Sequence, residues 1–119
     1  MNGHSELIGG WRAQDIGGSP LRDDVASTII FGSDGRVTGE AGVNRFGGPY
    51  HIEGDTIELG PFFSTRMAGP ESAMRQEQDF LAALSGRRPI AIDGEALVIG
   101  QGPEQVRLLR VGEGPTAAT

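Results

Sequence analysis

The sequence predicts a mainly β domain of the α+β class: an antiparallel meander of short strands with one amphipathic helix packed on it. Three observations carry this expectation. Apolar residues alternate with polar ones in short runs, which is the period of half-buried strands. Acid–glycine pairs recur between those runs, in "SDGR" (33–36), "EGD" (53–55) and "DGE" (93–95), where hairpins need a positive φ. Only one window, residues 69–86, repeats its apolar residues at helical spacing.

The elements follow in order. A first strand is expected near 7–13, around Trp11. Strands near 26–32 and 36–43 flank the "SDGR" turn, and strands near 49–53 and 56–60 flank "EGD". A strand near 62–67 leads into the helical window. There Pro70 suits the first turn, Glu71 the positive end of the dipole and Gly86 the C-terminal cap. Ala73, Met74, Glu77, Phe80, Leu81 and Leu84 share helical spacing, so Met74, Phe80, Leu81 and Leu84 are expected on the sheet, with Arg75, Gln76, Gln78 and Asp79 elsewhere on the wheel. Strands near 89–93 and 96–100 flank "DGE", and a last strand lies near 105–111. The hairpins "HIEGDTIELGP" (51–61) and "AIDGEALVIGQGP" (91–103) share a pattern, either as an internal pseudo-repeat or by the chance recurrence of alternation around an acid–glycine turn.

With 119 residues the chain fits one domain, and 20 glycines and seven prolines beside few aromatics describe many tight turns. The expected organisation is a disordered N-terminus at 1–6, a domain at 7–111 and a flexible tail at 112–119. The net charge is −6 and all ten cations are arginines, scattered but for Arg87-Arg88, which argues against nucleic acid as a partner. Without cysteine there is no disulfide, thiolate nucleophile or zinc-thiolate site. No basic leader with an apolar run opens the sequence and no stretch approaches a membrane span. The chain as written is therefore expected to be cytoplasmic, or envelope-associated if a leader has been removed.

The inventory for chemistry is thin. His4 lies in the N-terminal stretch, and alternation in "PYHIEG" turns His51 away from the face of Tyr50 and Ile52. Glu53, Asp55 and Glu58 flank a turn without the ligand pattern of a calcium loop, and Asp23-Asp24 most simply ends a loop. No phosphate-binding glycine motif precedes a helix. No catalytic residue, metal set or cofactor is assigned. Two groups remain. Asn44-Arg45-Phe46 would place Asn44 at a left-handed position with its amide on neighbouring main chain, Phe46 inward and Arg45 open to a carboxylate. Thr65-Arg66-Met67 would end a strand, with Arg66 paired to Glu71 or Glu77. For both arginines, a structural ion pair and recognition of an anionic ligand or partner stand as alternatives.

The order of Trp11, "FGSDGRVTGEAGVNRFGGPY" (31–50), "FFSTRMAGPE" (62–71), a helix with "DFLAAL" (79–84) and a final hairpin resembles the META/HslJ domain family, heat-shock protein HslJ-like, from Trp11 to Val111. The resemblance implies an antiparallel meander rolled into an incomplete barrel with the helix packed on it. It implies no enzymatic activity, but a stress-related or interaction module working through protein contacts. Val43 and Gly69 stand where the family usually has cysteines, and their joint loss suggests that the two positions face each other. A bridge there would close a loop of about 27 residues and contribute roughly 3–4 kcal/mol.

The leading expectation is thus a non-catalytic interaction module. The alternative is a barrel lined by Phe31, Phe46, Tyr50, Phe62, Phe63 and Met67 that holds an apolar small molecule, as a carrier or a cyclase-type enzyme. The candidate ligand- or partner-binding residues are Asn44, Arg45, Phe46, Tyr50, Phe63, Arg66 and Met67.

Overall fold

A computed structural model of the protein describes residues 4–111; residues 1–3 and the tail 112–119 lie outside them. A helical turn, α1 (His4–Leu7), comes first, where the sequence suggested disorder as far as residue 6. There follow β1 (Gly9–Ile16), β2 (Ser19–Pro20), β3 (Thr28–Phe31), β4 (Arg36–Glu40), β5 (Arg45–Glu53), β6 (Thr56–Leu59) and β7 (Phe63–Ser64). Helix α2 (Glu71–Leu84) leads to β8 (Gly86–Asp93), β9 (Ala96–Ile99), a 3-10 turn at Gly102–Glu104 and β10 (Val106–Arg110).

The strands form a meander that closes on itself. Their order is β1-β3-β4-β5-β6-β8-β9-β10, every pair antiparallel, and β10 returns to β1 with Trp11 opposite Arg110 and Ala13 opposite Leu108. The result is a closed eight-stranded barrel, which corrects the expected incomplete one. Closure depends on β1, which runs three residues further than expected and is long enough to pair with β3 on one side and β10 on the other.

The "EGD" and "DGE" hairpins have the same construction. Glu53 pairs with Thr56 and Asp93 with Ala96, leaving two-residue turns whose first members, Gly54 and Gly94, have φ of 65° and 64°. That positive φ at the first turn position is what glycine makes easy in a tight hairpin. The hairpins lie side by side through the β6–β8 pairing, so the shared sequence pattern corresponds to a shared structure.

The interior is solid. Trp11, Phe31, Phe46 and Phe80 are buried with Leu7, Ile29, Ile57, Leu59, Leu84, Leu97, Ile99 and Leu108, all less than 2 % exposed as side chains. Burial of each contributes about 1.5–3 kcal/mol. Phe46 meets Phe62 and Phe80 edge-on at 5.1 and 6.0 Å. Gly39 makes this possible: it pairs with Phe46 on the inward face, and a Cβ there would collide with the Thr28 carbonyl and lie 2.9 Å from the Phe46 ring. At one end Leu7 is buried and its carbonyl accepts the Trp11 indole N–H at 2.9 Å, while the Arg110 guanidinium lies 4.1 Å from the centre of the indole ring.

Helix α2 buries a face different in part from the expected one. Phe80 and Leu84 are inward and Leu81 packs at the margin, but Met74 is only partly covered. Ala73, Gln76, Glu77 and Ala83 complete the buried stripe. The two polar members of that stripe fasten the helix to loops.

Candidate functional site

The residues singled out in the sequence divide into those that hold the fold and those the fold leaves outside. Asn44 belongs to the first group. It is 3 % exposed; its Oδ1 accepts the Met67 N–H (2.6 Å) and the Thr65 hydroxyl (2.9 Å), and its Nδ2 donates to the Met67 carbonyl (3.0 Å) and to Glu77 Oε2 (2.9 Å). The amide therefore serves main chain, as expected. Its backbone is not left-handed, however, since no residue other than glycine has a positive φ among the described residues. The bend is held by side-chain bonds instead.

Glu77 is the counterpart. Its Oε1 accepts the backbone N–H groups of Val43 and Asn44 at 2.9 and 2.7 Å. Burial alone would push this carboxyl up, but the bonds from the Asn44 amide and from the two backbone N–H groups outweigh it and hold Glu77 below the usual carboxylate range. Beside it, Gln76 accepts the Arg22 N–H at 3.0 Å and donates to the Val25 carbonyl and the Ser27 hydroxyl at 2.9 and 3.0 Å. Gln76 escaped the sequence reading because a polar residue on a helix wheel suggests solvent. Its place in the 73, 76, 77, 80, 83, 84 stripe was the available signal.

Tyr50 is likewise bonded into the fold. Its hydroxyl donates to the Gly32 carbonyl at 2.7 Å and its ring meets Phe31 edge-on at 5.1 Å. Burial, with Asp34 nearby, pushes the phenol pKa up. Tyr50→Phe is expected to lose about 1 kcal/mol of stability, read as a lower urea midpoint with an unchanged slope. A loss of partner binding without a loss of stability would assign Tyr50 a different role.

Phe63, Met67, Arg45 and Arg66 lie outside. Phe63 is 62 % and Met67 58 % exposed, so neither lines the barrel as the small-molecule alternative required. Phe63 packs on the outer wall, where Gly47 gives it room: a Cβ there would be 2.7 Å from the ring. Arg66 is exposed and pairs with neither expected acid, because Glu71 faces Arg75 at 3.8 Å and Glu77 is committed to the corner. Arg45, opposite Glu40 in register, likewise forms no ion pair among the described residues. An open depression of about 600 Å³ on the outer wall joins Ile30, Thr38, Arg45, Phe63 and Thr65.

His51 is exposed, opposite Glu58 in register, and Glu53 and Glu58 flank Arg87 at 4.0 and 3.8 Å. Among the described residues no group of three or more His, Asp or Glu is placed to hold a metal ion. A second open groove, about 460 Å³, runs between α2 and the β2 turn past Leu21, Arg22, Gln76, Asp79 and Glu104. It brings together none of the candidate residues.

Val43 and Gly69 do face each other, as their joint substitution suggested: a Cβ on Gly69 would lie 2.8 Å from Val43 Cγ2.

Known structures share this architecture. One, described only as an NMR structure of a protein, superposes with a TM-score of 0.73 at 14 % identity, over 92 % of this chain and 95 % of its own. Another, an NMR structure of a protein from Burkholderia xenovorans, gives 0.72 at 18 % identity over 92 % and 86 %. At such identities they show the fold alone. No curated protein matches the chain. The META domain model matches residues 5–113, nearly the whole chain, and on that match, with the barrel and helix described above, the chain belongs to the META domain family.

Proposed function

We propose that this META-domain protein is a non-catalytic interaction module, of the stress-related kind, that takes a partner protein on the outer wall formed by β5 and β7. One observation carries the reading: Arg45, Phe63, Arg66 and Met67 are exposed together on neighbouring segments, while the barrel and helix need none of their side chains for burial or ion pairing. Exposed aromatic and arginine side chains are the residue types that dominate partner contacts. The small-molecule alternative finds no such support, because the interior is occupied by packed side chains.

The test is Arg45→Ala combined with Arg66→Ala. Both side chains are solvated, so stability is expected to change by less than about 0.5 kcal/mol. Recovery of a specific partner by the immobilised protein from cell extract is expected to fall sharply. A large drop in melting temperature, or an unchanged set of recovered proteins, would count against the reading.

A further inference from the structure

The chain from Phe63 to Met67 is bonded along one side only. Phe63 and Ser64 pair with Gly47 and Phe46 of β5. Two residues on, the Thr65 N–H donates to the Arg45 carbonyl at 3.0 Å, and after two more the Met67 N–H and carbonyl are both taken by the Asn44 side chain. Bonds at 65 and 67 to the same neighbour mark an extended chain, in which successive peptide groups point to opposite sides. The N–H and C=O groups of Ser64 and Arg66 therefore point away from β5. Both residues are exposed, and among the described strands β7 pairs with β5 alone.

Among the described residues this is a free strand edge on a barrel whose eight-strand path is closed. The other short strand at the margin, β2, is blunted by Pro20, which has no N–H to offer. The β7 edge carries no proline. Its side chains alternate: Phe63 and Met67 fall on the outer side with Thr65, and Ser64 and Arg66 on the other.

Resting on the proposal that this wall binds a protein, we infer that the partner docks by strand addition: an extended acidic segment lies along residues 63–67 and bonds to the main chain of Ser64 and Arg66. The free backbone groups, two residues apart, select an extended chain over a helix. Phe63 and Met67 select apolar side chains on its outer side. Arg66, unpaired and on the side of the intervening positions, selects carboxylates there.

A blocked synthetic heptapeptide of alternating Val and Glu is the probe, titrated against the full chain and read by amide NMR and fluorescence anisotropy. Binding is expected to slow exchange of the Ser64 and Arg66 amides and to weaken when Lys replaces Glu in the peptide. N-methylation of every second peptide residue is expected to lower affinity by at least about tenfold in one phase, from lost main-chain bonds, and to have little effect in the other. Equal effects in both phases, with binding still lost in Arg45→Ala plus Arg66→Ala, would overturn strand addition but leave the wall as a partner site. No binding of the peptide would overturn strand addition, with the extract experiment deciding the wall separately. Protected Ser64 and Arg66 amides in a dimer of the free protein would assign the edge to a second copy and overturn the acidic partner.

Discussion

Glu77→Ala is expected to destabilise the protein by about 3–5 kcal/mol, the largest loss of any single polar residue here. The alanine leaves the N–H groups of Val43 and Asn44 and the Asn44 amide without their acceptor, in a site where Asn44 is itself buried. A domain of this kind has only about 5–15 kcal/mol to lose. Urea unfolding at pH 7 measures the change; a loss below about 1 kcal/mol would mean that water reaches the corner and replaces the carboxylate. Glu77→Gln separates charge from shape. Its oxygen still accepts the two backbone bonds, but its NH₂ opposes the Asn44 NH₂, so a loss of about 2 kcal/mol is expected. The pH dependence has a definite sign. The folded-state pKa of Glu77 is depressed, so its contribution is complete above the unfolded carboxyl value near about 4.3 and disappears as pH falls through the lower folded value. Wild-type stability should fall across that acid window, and the Gln variant should fall less steeply.

The second large effect has the opposite direction. Val43→Cys with Gly69→Cys is expected to form a disulfide under oxidising conditions and to stabilise the protein by about 3–4 kcal/mol, the loop-closure value for about 27 residues. A Cβ built on Gly69 lies 3.6 Å from Val43 Cβ, within the span that a disulfide bridges. Gly69→Ala alone should be destabilising by about 1–3 kcal/mol, because its methyl would meet the Val43 methyls at 2.8 and 3.1 Å. Thermal melts with and without reductant decide the matter. A double variant that stays reduced, or melts no higher when oxidised, would show that the two backbones are held too rigidly for the bond. The natural chain fills the same gap with valine against bare backbone, a packing that needs no oxidant.

The hairpins were legible because their cause is local. Gly54 and Gly94 follow acids at the ends of alternating runs, and turn chemistry acts within a few residues. Around 44–48 the same residue type misled. The expected strands stopped at residue 43 and resumed at 49, yet β5 begins at Arg45. Gly39 and Gly47 are strand residues whose missing Cβ atoms admit the Phe46 and Phe63 rings, and sequence does not distinguish a glycine that turns from one that makes room. Closure of β1 on β10 joins opposite ends of the domain and leaves no local trace. Of the candidate residues, Phe46 was correctly placed inward and Asn44 correctly assigned to main chain. The partnership of Asn44 with Glu77 stayed hidden because most of the bonds go to backbone groups, which every residue carries.

The seam between Trp11 and Arg110 also has a consequence for synthesis. The ribosome delivers β1 early and β10 last, so until residues 106–110 emerge both β1 and β9 offer open edges to any neighbouring nascent chain. The vulnerable interval of this protein is therefore the end of its translation, when one five-residue strand converts an open sheet into a cylinder.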